Sequence, residues 1–171
     1  AYPDILCDID VGMQRIDAVD NPFDIALRFG EQPDSGLVSR PILMLDHWLF
    51  ASPAYLDRHG RPRSPEDLVH HQCVQPFRGD EMQRWRLRRG NQTREVAVQS
   101  RIAVNNIGIM GSLARKGVGI APIPNHHALN PMGEDGTLER VLPAWHLPPI
   151  PIYALLPSRI VPARAQVFLD F

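Results

Sequence analysis

The sequence predicts an α/β fold built as two lobes, and three observations carry that reading. Strand and helix candidates alternate along the 171 residues, the pattern of an α/β chain with parallel strands. Several strand candidates are near-continuously apolar, as a sheet covered on both faces requires. The segment from Trp48 to Ile150 contains enough elements for a sheet of its own, and the strand at Ile152 then returns to the first. The predicted boundaries are 1–46 for the first part of lobe one, 47–150 for lobe two and 151–171 for the return to lobe one. Such a path makes a two-stranded hinge, which permits a cleft to close around a ligand.

The elements follow in order. Ile5 to Val11 is an apolar-rich strand interrupted by Asp8 and Asp10, with Cys7 as a small buried residue. Arg15 to Val19 is a short helix closed by Asn21-Pro22, and Asp24 to Gly30 is a second strand ended by glycine. Leu37–Leu45 and Trp48–Ala51 are two further extended stretches. Ser52-Pro53 places a capping hydroxyl before a proline at the first helical position, and Gly60 stops that helix. Ser64-Pro65-Glu66-Asp67 repeats the device, with carboxylates at the positive end of the helix. Strands follow at Cys73–Phe77, Trp85–Leu87 and Arg94–Val98, the last two joined by a turn at Asn91-Gln92. After Ala103-Val104, Asn105-Asn106 caps a helix from Ile107 to Lys116, and Gly117 follows it as the stop. Val118 to Ala121 is a buried strand stopped by Pro122, Pro151 to Leu156 is another, and Pro162 to Phe171 is a final amphipathic helix. Most of the 17 prolines sit at element boundaries, where a missing N–H does least harm.

Composition narrows the function. The hydrophobic fraction of 44% supplies an ordinary globular core. Lys plus Arg is 18 and Asp plus Glu is 19, a net charge of −1, which argues against this segment gripping a nucleic-acid backbone by itself. Arg84-Trp85-Arg86-Leu87-Arg88-Arg89 is the basic exception, and its alternation reads as a solvated strand face. Two cysteines are too few for a disulfide framework and fit a reducing, cytoplasmic compartment. No stretch approaches the roughly 18 apolar residues of a membrane span. The chain starts at Ala1-Tyr2-Pro3-Asp4 without an initiator Met and reads as a processed or excised piece.

Six stretches, in order and with matching spacing, resemble the effector-binding domain of LysR-type transcriptional regulators. They are Phe23-Asp24-Ile25-Ala26-Leu27-Arg28-Phe29-Gly30, Leu37-Val38-Ser39-Arg40, Phe50-Ala51-Ser52-Pro53-Ala54-Tyr55-Leu56, Ser64-Pro65-Glu66-Asp67-Leu68, Ala114-Arg115-Lys116-Gly117-Val118-Gly119-Ile120-Ala121 and Pro157-Ser158-Arg159. Each is weak alone, and six together are specific. The resemblance implies a periplasmic-binding-protein-like fold of two Rossmann-like lobes, joined by two crossover strands, with an inducer cleft. It implies a small-molecule effector, DNA binding through an N-terminal helix-turn-helix domain not in this chain, and homodimers or homotetramers. Set against the family's pattern, the resemblance implies that the first βα unit of lobe one, whose helix lines the cleft and joins the dimer interface in the family, is not in this sequence.

In open α/β sheets ligands sit beyond the carboxyl ends of the strands, where helix N-termini offer free N–H groups to anions. The candidate effector-binding residues are therefore Phe50, Ala51 and Ser52 at one helix start, Asn105 and Asn106 at another, Arg28, Phe29 and Gly30 at the end of the second strand, and Ala121 and Pro122. Ser52, Asn105 and Asn106 are helix caps in any case. Arg28 is a bidentate fork for a carboxylate or the partner of Asp24 or Asp17. Trp48 and Phe50 are stacking platforms or core.

Other chemistries find little support. His70-His71 with Cys73, and His126-His127, lack the paired spacing of a zinc site, and adjacent histidines point apart. Gly111-Ser112-Leu113 lacks a nucleophile elbow, and Gly117-x-Gly119 opens a strand rather than a helix. The expectation is a small, anionic effector, no enzyme activity, no cofactor, no metal and no membrane. A solute-binding protein of a transporter is the alternative, since it would share the fold.

Overall fold

A computed structural model describes residues 5–10, 23–30, 37–76, 84–124, 136–158 and 160–170. The expected helix at Arg15–Val19, the end of the first strand at Val11, Phe77, His126-His127 and Arg159 lie outside these residues. The chain divides into two compact units, one of residues 1–44 with 151–171 and one of residues 45–150.

In unit 1, β1 (Ala26–Phe29) pairs antiparallel with β9 (Leu147–Leu156), with Arg28 opposite Tyr153 and Phe29 opposite Ile152. Gly30 ends β1 at φ 82°, a left-handed conformation suited to glycine, and its N–H donates to Pro151 O at 2.9 Å. Helix α3 (Ala163–Asp170) buries Ala165, and Arg164 grips Asp24 through two bonds of 2.7 and 2.9 Å. That pair holds the Asp24 carboxyl below its usual range, chiefly through the hydrogen bond from Arg164. Asp24 is thus the partner of Arg164.

Residues 5–10 form no strand, and Cys7 is exposed rather than buried. Leu6 and Ile9 are largely exposed as well. An apolar run becomes a strand only when a neighbour supplies the ladder, and none among the described residues pairs with this one.

Strand β2 (Val38–Ala51) merges the two expected stretches into one, running through Pro41 and Asp46 and entering unit 2 at Leu45. In unit 2 it pairs antiparallel with β7 (Ala121–Pro124) and β8 (Glu139–Val141). Strands β3 (Gln72–Gln75) and β6 (Gln99–Ala103) pair in parallel, and Cys73 bridges Ile120 in parallel. Pro122 does not stop its strand. It stops the parallel ladder: Ile120 N–H donates to Gln72 O and Val74 N–H to Ile120 O, each at 2.9 Å. The next donor in that alternation is residue 122, which has no N–H. The strand continues on its other side, where Ala121 and Ile123 face Phe50 and Trp48.

Side chains alternate across this sheet into two clusters. Leu49, Cys73 and Ile120 join Tyr55, Leu56, Leu68, Trp85 and Leu87 on one face. Phe50, Val74 and Ala121 join Met110 and Ala114 on the other. Helix α1 (Pro53–His59), a 3-10 helix (Pro65–His70) and the hairpin of β4 (Arg84–Arg89) and β5 (Gln92–Ala97) therefore cover the first face. Helix α2 (Ile107–Arg115) covers the second. The expected solvated strand face is seen in β4: Trp85 and Leu87 are buried and Arg84, Arg86 and Arg88 are exposed.

Candidate functional site

Strand direction decides which helix start belongs at which end of unit 2. β3, β6 and β7 point one way and β2 points the other. Asn105 and Asn106 follow the carboxyl end of β6, level with Gln75 at the end of β3, because Val104 N–H donates to Gln75 O at 2.8 Å. Ser52 follows the carboxyl end of β2, which is the amino end of the other strands. Five residues of strand, roughly 16 Å at about 3.3 Å each, separate it from the level of His47 opposite Pro124. The two helix starts therefore lie at opposite ends. The expectation that both share one floor fails because it gave β2 the direction of its neighbours.

The Ser52 end is closed. Ser52 Oγ accepts from Tyr55 N–H at 3.3 Å, and Ser52 is only 4% exposed. Gly117, at φ 74°, leaves room that a Cβ would take: that atom would sit 3.3 Å from Ser52 Oγ and 3.1 Å from Arg58 Nη2. A Cβ at Gly119 would lie 2.4 Å from Gln72 O. Beside them, Tyr55 Oη accepts from Gln72 N–H at 2.9 Å and lies 3.3 Å from His71 Nδ1. Phe50, Ala51 and Ala121 are core residues, at 2%, 0% and 0% exposure, and Pro122 is buried. Their side chains face neighbours, not solvent.

The Asn105 end is open. Asn106 Oδ1 accepts from Ile109 N–H at 3.0 Å, and both asparagines are exposed. That cap satisfies one of the orphan donors of a helix start and leaves those of the first residues. Gln75 reaches this edge from one face of the sheet and α2 from the other. The residue is 4% exposed and its Nε2 has no partner among the described residues. Sequence reasoning passed over Gln75, although a glutamine inside an apolar strand just before a proline is a signal, since buried amides are normally satisfied. His47 is nearly buried at the same end. Its Nδ1 lies 3.0 Å from Leu45 O, and desolvation lowers its pKa, so the ring is neutral at pH 7. No Asp or Glu occurs from Val96 to Gly133. This end of unit 2 can receive an anion and offers it amide donors.

Arg28, Phe29 and Gly30 stand together at the end of β1 in unit 1, and each is engaged in interactions there. Of the histidines, His70 is exposed on the 3-10 helix and His71 is buried beyond it. No three His, Cys, Asp or Glu among the described residues gather as metal ligands. A shallow depression of about 370 Å³ lies over Gln72, Cys73, Arg101, Ile102 and Val118, near the start of β3 rather than its end. Among the described residues no helix is long and apolar enough to cross a membrane.

Comparison with known proteins adds the following. The family model described as LysR substrate binding domain matches residues 1–171. An HTH-type transcriptional regulator of Xanthomonas campestris is 29% identical over 175 residues, covering 99% of this chain and 51% of that protein. The regulatory domain of CrgA, a LysR-type transcriptional regulator from Neisseria meningitidis, superposes with a TM-score of 0.72 at 32% identity, covering 86% of this chain and 72% of that one. The Vibrio cholerae virulence activator AphB gives 0.69 at 30% identity, covering 89% and 53%. The chain thus spans about half the length of the curated relatives it matches.

Proposed function

Since the chain belongs to the LysR substrate-binding domain family, we propose that it senses a small anionic effector at the carboxyl ends of β3 and β6 in unit 2. Effector binding is the family's role, and the relatives are transcriptional regulators, not solute-binding proteins of transporters. The observation that supports the site is the buried Nε2 of Gln75, without a partner among the described residues, on the strand whose end is level with the open start of α2. A buried amide donor without an acceptor costs about 1–3 kcal/mol, and an oxyanion would supply the acceptor. Asn105 and the first N–H groups of α2 complete a donor set suited to a carboxylate. Of the other candidates, Arg28, Phe29 and Gly30 offer a second surface in unit 1. Phe50, Ala51, Ser52, Ala121 and Pro122 act through packing.

The rest of the reading concerns the intact protein. It binds DNA through a helix-turn-helix domain outside this chain, works in the cytoplasm as a homodimer or homotetramer, and catalyses no reaction. The effector acts by binding one of two states more tightly, which shifts their populations. A thermal-shift screen against small carboxylates and aromatic acids tests the site. A ligand at a hundred times its Kd stabilises by about 2.7 kcal/mol, a shift of several degrees. Gln75→Leu and Asn105→Ala should abolish the shift while Ser52→Ala preserves it. A ligand whose shift survives both of the first two variants refutes this placement.

A further inference from the structure

Arg140 carries a charge that no carboxylate among the described residues balances. It lies on β8 directly opposite Phe50, so its side chain emerges on the α2 face of unit 2. Its guanidinium sits over the Trp48 ring, 3.6 Å from the centroid. Its Nε is buried and has no hydrogen-bond partner among the described residues. No carboxylate among the described residues pairs with it. The next residue along the same strand shows the contrast. Glu139, on the other face, takes two bonds from Arg61 at 2.8 and 2.9 Å, and Arg61 also holds Asp57 at 2.9 Å.

A half-buried cation without a counter-charge is unfavourable, and the ring face offsets only part of that. Desolvation accordingly lowers the Arg140 pKa. Nε is covered while the residue as a whole is partly exposed. The Trp48 ring face restrains the guanidinium, which narrows the directions its donors can take before any partner arrives. The chain from Val96 to Gly133, which includes α2, contributes no acidic residue to compete.

We propose that the Nη edge of Arg140, held on Trp48, is a carboxylate-binding site on the α2 face, separate from the effector site at the strand ends. The carboxylate comes from a free small acid or from an acidic side chain of a second copy of this chain. A planar fork meeting two coplanar oxygens is the geometry that favours carboxylate over chloride.

The test is a titration of the chain with sodium acetate, following tryptophan fluorescence, with sodium chloride at equal ionic strength as the control. Trp85 and Trp145 are buried and Trp48 is not, so the change should come from Trp48 and vanish in Trp48→Phe. Acetate should produce a saturable change that chloride does not. Arg140→Gln should weaken it at least tenfold. Arg140→Lys, which keeps the charge but loses the fork, should weaken it less, and circular dichroism checks that both variants fold. Sedimentation at rising protein concentration separates the sources. Association that acetate and Arg140→Gln both abolish identifies a second copy; acetate binding without association identifies a free acid. Equal responses to acetate and chloride, or an undiminished response in Arg140→Gln, overturns the proposal.

Discussion

The two helix starts of unit 2 use the same chemistry to opposite ends. Ser52 and Asn106 both sit in extended backbone and accept a hydrogen bond from the N–H three residues on. Read locally they are equivalent. One is sealed by glycines and by Tyr55, and the other is open to solvent at the level of Gln75. What separates them is the direction of the strand each follows. A cap at the amino end of the parallel strands is a structural joint, and a cap at their carboxyl end is free to meet a ligand.

The sealed end should be the one that fails when crowded. Gly119→Ala would drive a methyl group to 2.4 Å from the Gln72 carbonyl oxygen, a backbone atom that cannot swing away. The strand start must shift and the ladder bonds of Ile120 with it, so a loss of about 3 kcal/mol or more is expected. Urea unfolding measures it. A change under about 0.5 kcal/mol would mean that the end is not packed as described.

Acid should loosen the same end. His71 is buried against Tyr55, and desolvation first, then the charges of His59 and His70, lower its pKa, while Asp67 opposes them. The folded state therefore favours the neutral ring more than the unfolded chain does. That contribution is complete above the ordinary imidazole value of about 6.5 and is lost as pH falls below it toward the lowered folded value. The urea midpoint should fall as pH drops below about 6.5, and His71→Asn should flatten the slope. An identical slope in the variant would move the acid sensitivity elsewhere.

Much of this contrast was legible in the residues. Ser52-Pro53 with Gly60 and Asn106 with Gly117 stand where local chemistry puts them, and the hairpin turn falls one residue earlier than expected, at Gly90-Asn91, with Gln92 already paired to Arg89. Capping and turn preferences act over three or four residues, so a single sequence displays them. Strand direction was not legible. The alternation of Trp48, Leu49, Phe50 and Ala51 is the same whichever way β2 runs, and only its long-range register with Ala121–Pro124 sets the antiparallel sense. That missing fact placed Ser52 among the effector residues. Cys7 and Pro122 misled for related reasons: burial of the first and the effect of the second depend on which neighbour lies alongside. Gln75 and Arg140 were overlooked because an orphaned donor is defined by what surrounds it.

The smallest expected effect is the most discriminating. Removing a cap costs about 1 kcal/mol wherever the cap sits, so Ser52→Ala and Asn106→Ala should lower stability by similar amounts. Asn105→Ala should cost under about 0.5 kcal/mol, since the exposed Asn105 side chain makes no cap bond. Ligand response should sort the three differently. It should disappear in Asn105→Ala, weaken in Asn106→Ala, where the helix start frays, and stay intact in Ser52→Ala once the stability change is subtracted. Stability and response would then be uncoupled within one lobe: the residue that matters least to the fold would matter most to the ligand. If response instead tracked stability across all three, the open end would be only another joint, and the direction of β2 would have no bearing on function.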